Sequence, residues 1–377
     1  MDIVCVLFLA AAFTPCLSSA SSPIGFCPRS PVCFTGTESL YFKLRHCSPI
    51  RWSKAPPFSD DEFRRRAIAD LTDLLANVKG QAHILPDIIA HLNDKMRYPS
   101  QQMVLHFAGD HGVGKTYVAK LISLVMSTHC AAARGPLHCE YGASMLIISG
   151  TGYDGDGGKS LPNARSLIVN EIVQHATAHP NGVVLLDDLS ALDPAVVSAL
   201  SPLLGRAAAF PDFPDVRLNE LLVILTTDLG NQGRTRNKTV QQIRTMVEEE
   251  FGFLYGTTAV SHVHTFPFLP LTMEHAIEII RNYVVQTPCR EPRVAHMTID
   301  EFTAYYFAAG INERVTVENG HAIDRNVKSA VNALISRAVD EFGSIDARGL
   351  NLHLAIEEST KRPVVSHHNS QVRDPEL

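Results

Sequence analysis

Several features that would place a protein in a specialised class are missing from this sequence. None of its apolar runs reaches the 18 or so residues of a membrane-spanning helix. There is no C-x-x-C motif to indicate a zinc site and no internal repeat to indicate a solenoid. The formal net charge is only −6, which gives no electrostatic argument for binding nucleic acid or an acidic membrane. What is present, 377 residues of which 45% are hydrophobic and 19% charged, is typical of a globular protein with several structural units.

The amino-terminal segment has the pattern of a secretory signal peptide. An unbroken apolar run extends from Ile3 to Phe13, and the small residues Ser18 and Ala20 suit cleavage after Ala20. No Lys or Arg precedes the run, so a retained signal anchor is the alternative. Removal of residues 1–20 would leave an even number of cysteines, which permits disulfides in the secretory pathway: Cys27, Cys33, Cys47, Cys130, Cys139 and Cys289.

Residues 21–58, which follow, are rich in serine and proline. They contain a single acid before residue 57, Glu38, among the basic residues Arg29, Lys43, Arg45, Arg51 and Lys54. One interpretation is a flexible linker, because such a composition cannot bury much apolar surface. The other is a transit segment that, behind a signal peptide, would direct the protein to a plastid-type organelle. At the carboxyl end, we expect residues 359–377 to form a flexible tail.

The most informative pattern is a complete phosphate loop, G-x-x-x-x-G-K-[ST], at residues 109–116. It lies between an apolar run, Met103–Ala108, and a stretch with helical periodicity that begins at Tyr117. In such a strand–loop–helix context, backbone N–H groups and the helix amino terminus can bind phosphates. We expect Lys115 to reach the terminal phosphates and the Thr116 hydroxyl to bind Mg²⁺. The sequence therefore predicts a nucleoside triphosphate site formed by Gly109, Asp110, His111, Gly112, Val113, Gly114, Lys115 and Thr116.

Acidic residues follow two later apolar runs. The run Gly182–Leu186 leads into Asp187 and Asp188, and Asp228 comes shortly after the run Leu221–Leu225. Ligands bind at the carboxyl ends of strands in open α/β sheets, so we expect Asp187 to hold Mg²⁺ and Asp188 to polarise the attacking water. Comparable sites usually have glutamate as the base, and the shorter Asp188 favours slow hydrolysis. Asp228 could hold the water against the terminal phosphate, or it could cap a turn.

The order of these patterns predicts an α/β fold. Apolar strands alternate with helical segments, which calls for a parallel sheet with helices on both faces. A capping box that starts at Ser59 marks the beginning of structure, and we assign residues 59–270 to a large nucleotide-binding domain. No strong strand pattern remains from Thr272 onward, so residues 271–358 are predicted to form a small helical domain.

The motifs resemble those of the Clp/Hsp100 branch of the AAA+ ATPases, namely the phosphate loop, Val183–Asp188 and Leu225–Gly230. Further stretches resemble the torsins, the ER-lumenal members of that branch: Gly80-Gln81, Gly114–Ile122, Ala199–Leu204 and Phe266–Leu271. The resemblance implies an AAA+ P-loop NTPase that takes ATP and Mg²⁺ and acts on protein assemblies. It also implies a location in the ER lumen or nuclear envelope.

The resemblance to torsins has departures at the site itself. Torsins generally carry Asn where this chain has Thr116, whereas Asp228 stands at the sensor asparagine and Asp188 at the usual glutamate. The arginine that completes a neighbour's site is expected at Ser261, and no Lys or Arg lies between residues 245 and 270. A trans-acting arginine accelerates phosphoryl transfer by several orders of magnitude. A homo-oligomer should therefore be slow, and the resemblance implies a ring with a membrane-bound activator that donates the arginine.

Two other motifs are closer to Clp proteins than to torsins. Ala347–Leu350 is similar to the Clp sensor-2 motif, which implies that Arg348 touches the terminal phosphate. Gly152–Gly155 resembles the Clp pore loop, in which Tyr153 would grip substrate. An aromatic residue of a glycine-rich turn is the alternative interpretation of Tyr153.

Three hypotheses on function follow. The leading one is a torsin-like ATPase of the ER or nuclear envelope lumen that an arginine-donating partner stimulates. The second is a Clp-like unfoldase of an organelle, active as a homo-oligomer and dependent on Tyr153. The third is a nucleotide-binding switch with negligible hydrolysis, which Asp188, Asp228 and Ser261 suggest.

Overall fold

A computed structural model of the chain describes residues 61–126, 145–153, 163–228, 234–235, 238–256, 262–343 and 349–367. The predicted signal peptide, residues 21–58, Ser261 and Arg348 lie outside these ranges. A large α/β unit comes first, and a smaller unit follows from residue 273. Within the ranges given, no helix combines the length and the apolar character that crossing a membrane requires.

A five-stranded parallel sheet forms the centre of the large unit. In order across the sheet, its strands are β2 (Met145–Ser149), β3 (Val183–Asp187), β4 (Leu222–Thr227), β1 (Met103–Ala108) and β5 (Val263–Pro267). Every residue of β1 and β4 is buried, as expected of central strands in a sheet that is covered on both faces. The prediction of an α/β fold with a parallel sheet is confirmed.

Helices cover both faces of this sheet. They are α1 (Asp61–Ala76), α2 (Leu85–Arg97), α3 (Lys115–Met126), α4 (Ala164–Ala178), α5 (Pro194–Ala199) and α6 (Val240–Tyr255), with short helical turns at Gly150–Tyr153, Leu189–Ala191 and Pro202–Arg206. Buried side chains of α1, α2 and α3 form one core with Leu105 and Phe107 of β1. Those of α4, α5 and α6 form another core with Val104, which points to the opposite face because side chains alternate along a strand.

The smaller unit combines helices with a three-stranded sheet. Its helices are α7 (Met273–Val285), α8 (Thr287–Arg290), α9 (Glu301–Ala309), α10 (Asn312–Glu318), α11 (Gly320–Ala322) and α12 (Ser329–Phe342), with a π-helical segment at Ile323–Lys328. The strands β6 (Val294–Ile299) and β7 (Leu350–Ile356) are parallel, and β8 (Pro363–His367) is antiparallel to β7. Buried side chains of the helices and strands share one core.

The sequence-based prediction of a small helical domain omits this sheet. In β7, the buried residues Leu350, Leu352 and Leu354 alternate with more exposed neighbours, which is the two-residue period of a strand. The stronger helical periodicities around it conceal this short pattern. The prediction of a flexible tail is wrong for residues 363–367, because β8 pairs with β7 and thereby satisfies its backbone polar groups.

Candidate nucleotide site

The phosphate loop lies between a central strand and a helix. Residues 109–114 connect β1 to α3, whose first residue is Lys115. Gly112 and Gly114 have φ angles of +78° and +100°, in the left-handed region that side chains rarely allow. These conformations let the loop turn tightly ahead of the helix amino terminus, where the helix dipole favours a bound anion.

Lys115 is buried, and its ammonium group has three acceptors. The Nζ atom donates to Asp228 Oδ1 at 2.5 Å, to the Gly109 carbonyl at 2.9 Å and to the Asp110 carbonyl at 3.0 Å. The other Asp228 oxygen lies 3.2 Å from His111 Nδ1. A charge away from water needs such partners, because an unpaired buried ion is costly. Asp228 is therefore the charge partner of the phosphate-loop lysine.

Asp187 accepts hydrogen bonds from two threonine hydroxyls. Its Oδ1 atom lies 2.7 Å from Thr116 Oγ1 and 2.7 Å from Thr226 Oγ1. Thr116 is the second residue of α3, and Thr226 lies on β4, the neighbour of the strand that ends in Asp187. Mg²⁺ is a hard cation that prefers carboxylate and hydroxyl oxygens. The chemistry and proximity of Thr116 and Asp187 thus suit a magnesium ion.

Asp188 has an unusual backbone conformation for its residue type. Its φ and ψ angles are 56° and 57°, in the left-handed region, which costs free energy for a residue with a side chain. The backbone N–H donates to Thr226 Oγ1 at 2.8 Å, and Oδ1 accepts from Ser190 Oγ at 2.9 Å. Gly150 packs so closely that an added Cβ atom would lie 2.1 Å from the Asp188 carbonyl oxygen. These contacts fix Asp188 at the edge of a cavity.

That cavity, of about 620 Å³, lies between the two units and has the size of a small-ligand site. From the large unit it is lined by most of the predicted site residues: His111, Gly112, Val113, Gly114, Lys115, Thr116, Asp187, Asp188 and Asp228. From the smaller unit it is lined by Ile279, Asn282, Tyr283, Gln286, Gly320, His321, Asp324 and Lys328. Gly109 and Asp110 do not line it, and they contribute their carbonyl groups to Lys115 instead.

The carbonyl groups of loop residues 111–113 all accept hydrogen bonds from outside the loop. Asn319 Nδ2 donates to the first at 2.9 Å, the Gly320 N–H to the second at 3.0 Å and Gln81 Nε2 to the third at 3.3 Å. A phosphate loop turns its N–H groups toward the ligand, so its carbonyl groups need partners elsewhere. The smaller unit supplies two of those partners.

The same two buried amides also bind the chain that connects the units. The Leu269 N–H donates to Gln81 Oε1 and the Leu271 N–H to Asn319 Oδ1, both at 2.9 Å. Asn319 has φ and ψ angles of 49° and −129°, a strained conformation of the kind that a structure retains where its surroundings enforce it. Gln81 and Asn319 therefore tie the connection between the units to the phosphate loop.

No family model matches this sequence, and no curated protein matches it. Among solved structures, the chain is similar to S. cerevisiae Hsp104 in a complex with ADP, with a TM-score of 0.59 and 13% sequence identity. The match covers 82% of this chain and 54% of that chain, so this chain spans about half the length of its structural neighbour. The chain has the AAA+ P-loop fold. At this level of identity the likeness concerns the fold alone, and the resemblance to torsins stays a prediction.

In this AAA+ fold, Tyr153 lies apart from the cavity. It ends the turn after β2 and packs against the core that contains α4. Its hydroxyl donates to Glu171 Oε1 at 3.0 Å, and burial, followed by this hydrogen bond, raises the pKa of Tyr153 to about 12. Tyr153 is thus engaged within its own chain, and its predicted role in gripping substrate would require it to leave Glu171.

Arg348, predicted to reach the terminal phosphate, lies outside the described residues, and Leu350 begins β7 shortly after it. From the smaller unit, Lys328 lines the cavity, although no motif in the sequence indicates a functional role for it. Its ammonium pairs with Asp324 and lies 5.1 Å from the centre of the Tyr283 ring. Such a cation beside an aromatic ring suits an anionic ligand with a planar base.

His321 also faces the cavity from the smaller unit. Its ring centre lies 4.3 Å from that of His111, across the junction. Burial, and secondarily the proximity of His111, lowers the pKa of His321. Near this wall of the cavity, the sequence has the turn dipeptide Asn319-Gly320, which indicates a chain reversal but no particular ligand.

Proposed function

We propose that the protein is an ATPase that hydrolyses ATP with Mg²⁺ to remodel protein assemblies. The observation that supports this proposal most directly is that Lys115, Thr116, Asp187 and Asp188 all line one cavity. They reach it from the carboxyl end of β3 and from the helix after the phosphate loop, where α/β proteins bind nucleotides. The ADP in the Hsp104 complex supports a nucleotide in a chain of this fold.

We propose a role for each of these residues that its surroundings support. Lys115 would exchange its partner Asp228 for the β- and γ-phosphates of the nucleotide. Mg²⁺, held by Thr116 and Asp187, would neutralise charge that develops on the phosphates. Asp188 would orient and polarise the attacking water, and its side chain, one methylene shorter than glutamate, favours slow turnover.

The apolar part of the cavity lining suits a purine base. Val78, Leu271, Ile279 and Tyr283 belong to this part and offer apolar surface and an aromatic ring. The Tyr283 hydroxyl donates to the Asn332 side chain at 2.7 Å, which holds the ring in place. We take the base to be adenine because of the AAA+ resemblance.

We further propose a torsin-like setting, the ER lumen or nuclear envelope. The predicted signal peptide supports a secretory location, and so does Cys289, which is disulfide-bonded, because disulfides persist in oxidising compartments. The sequence offers no Lys or Arg between residues 245 and 270 that could complete a neighbour's site. The lack of such a residue supports a homo-oligomer or a mixed ring in which a membrane-bound partner donates the arginine.

The test is ATP hydrolysis by the purified protein, measured as phosphate release beside Lys115→Ala, Asp188→Asn and a control, Lys120→Ala. Lys120 lies on the same helix as Lys115 but does not line the cavity. We expect slow turnover that falls about a hundredfold or more in the first two variants and is unchanged in the third. Turnover that survives in Lys115→Ala would contradict the proposal.

The rate of the unmodified protein separates the alternatives. Fast turnover without any partner, lost in Tyr153→Ala, would favour a Clp-like organellar unfoldase. ATP binding with no turnover, even when an arginine-donating partner is supplied, would favour a nucleotide-binding switch.

A further inference from the structure

Asp228 is placed where it can influence which nucleotide the cavity accepts. One of its oxygens accepts the hydrogen bond from Lys115, and the other lies beside His111. The side chain is 35% exposed and lines the cavity. We propose that the Asp228 carboxylate occupies the place of a phosphate at Lys115, and that the site therefore prefers a nucleoside diphosphate to a triphosphate. This inference rests on the proposed nucleotide site and concerns its specificity.

Lys115 has no spare donor for a ligand. An ammonium group has three N–H bonds, and here they point to Asp228 and to the carbonyls of Gly109 and Asp110. The two carbonyls are fixed by the backbone of the phosphate loop, whereas a side chain can rotate. A phosphate that binds Lys115 must therefore displace Asp228.

Displacement leaves the Asp228 carboxylate close to the phosphates, because it starts 2.5 Å from the ammonium that they bind. Asp187 and Asp188 already bring two carboxylates to the same wall of the cavity. A triphosphate places one more charged group in this space than a diphosphate does. Like charges a few ångströms apart at a partly buried site repel strongly, so the carboxylates should weaken the binding of the triphosphate more than that of the diphosphate.

The test is calorimetric titration of the purified protein with Mg²⁺ and either ADP or a non-hydrolysable ATP analogue. We expect the unmodified protein to bind ADP about tenfold or more tightly than the analogue, and Asp228→Asn to remove most of that preference. The matched control is Glu291→Gln, which deletes a carboxylate that pairs with Arg293 and does not line the cavity. This control should change the preference by less than about twofold.

A second readout needs no nucleotide. Asp228→Asn leaves the buried ammonium of Lys115 without its charge partner, so the melting temperature of this variant should fall. The double variant that also carries Lys115→Met should recover part of that loss. Equal binding of both nucleotides by the unmodified protein would overturn the inference, whether or not the variants fold. So would a preference that Glu291→Gln removes as fully as Asp228→Asn does. Failure of the unmodified protein to bind either nucleotide would instead overturn the proposed function, and the inference with it.

Discussion

The two walls of the cavity are built on different principles. The sheet wall, residues 111–116, 187–188 and 228, holds charged and hydroxyl side chains that bind one another, such as Lys115 with Asp228. The small-unit wall, residues 319–328, binds the backbone of the phosphate loop through Asn319 and Gly320. The groups proposed to act on the nucleotide thus come from strand ends and the loop beside them, whereas the position of the loop depends on residues distant in sequence.

This difference indicates where the cavity is sensitive to rearrangement. A hydrogen bond lost from a buried carbonyl leaves a polar group unsatisfied, at a cost of about 1–3 kcal/mol. The bonds from the smaller unit to the carbonyls of His111 and Gly112 are partly shielded from water, and movement of the small-unit wall would break both at once. Substitutions in the sheet wall should therefore change chemistry, and substitutions at the junction should change stability and nucleotide binding together.

The largest expected effect comes from Gly112→Ala, compared with Gly114→Ala. Both residues have positive φ angles, but an added Cβ atom at Gly112 would lie 2.5 Å from the Glu318 carbonyl oxygen, whereas nothing lies within 4 Å at Gly114. Gly112→Ala should lower the free energy of unfolding by about 3 kcal/mol, and Gly114→Ala by about 1 kcal/mol. Urea unfolding without nucleotide measures both. Equal losses would mean that the close contact between Gly112 and Glu318 does not limit the side chain that the loop can hold.

A smaller effect is expected from Asn319→Ala. The substitution removes a part-buried hydrogen bond to the His111 carbonyl and a buried one from the Leu271 N–H, and should cost about 2 kcal/mol in the free energy of unfolding. The matched control is Asn326→Ala, since Asn326 also uses both amide atoms but is less buried. The control should cost less than about 1 kcal/mol. If the two variants unfold alike, Asn319 does not anchor the phosphate loop.

The sheet wall could be predicted from the sequence because its information is local. A glycine-rich loop between an apolar run and a helical pattern, and acids directly after apolar runs, each fall within a few residues of one another. The parallel sheet then follows from the alternation of strands and helices. Even here the sequence left Asp228 ambiguous, because its ion pair with Lys115 joins residues of different elements.

The small-unit wall could not be predicted in the same way. Asn319 meets His111 across 208 residues, and Gln81 meets Leu269 across 188, so no spacing rule connects them. Lys328 lies on a helical segment whose periodicity indicates a core face but not what its exposed side meets. The sheet of the smaller unit was missed for a related reason, since β6 and β7 are short and far apart along the chain.

The smallest expected effect is a difference in acid sensitivity between the walls. His106 of β1 is fully buried below the sheet wall, with Nε2 2.8 Å from Thr227 Oγ1. Burial, and secondarily the charge of Lys115, lowers the pKa of His106 from 6.5 to about 3. Between these values the unfolded chain binds this proton and the folded protein does not, so stability falls as the pH falls. Where the unfolded chain binds one proton more than the folded protein, the free energy of unfolding falls by about 1.4 kcal/mol for each unit by which the pH falls.

His106→Gln should remove this contribution and flatten the fall in unfolding free energy between pH 6.5 and 5.5 by about 1 kcal/mol. His321→Gln tests the small-unit wall in the same way. The pKa of His321 is lowered as well, but the residue is only partly buried, so its variant should flatten the profile less. Urea unfolding at several pH values gives the three profiles. A larger change in His321→Gln than in His106→Gln would contradict this prediction. The loss of stability in acid would then arise mainly at the junction of the two units, and the sheet wall would be the less sensitive to acid.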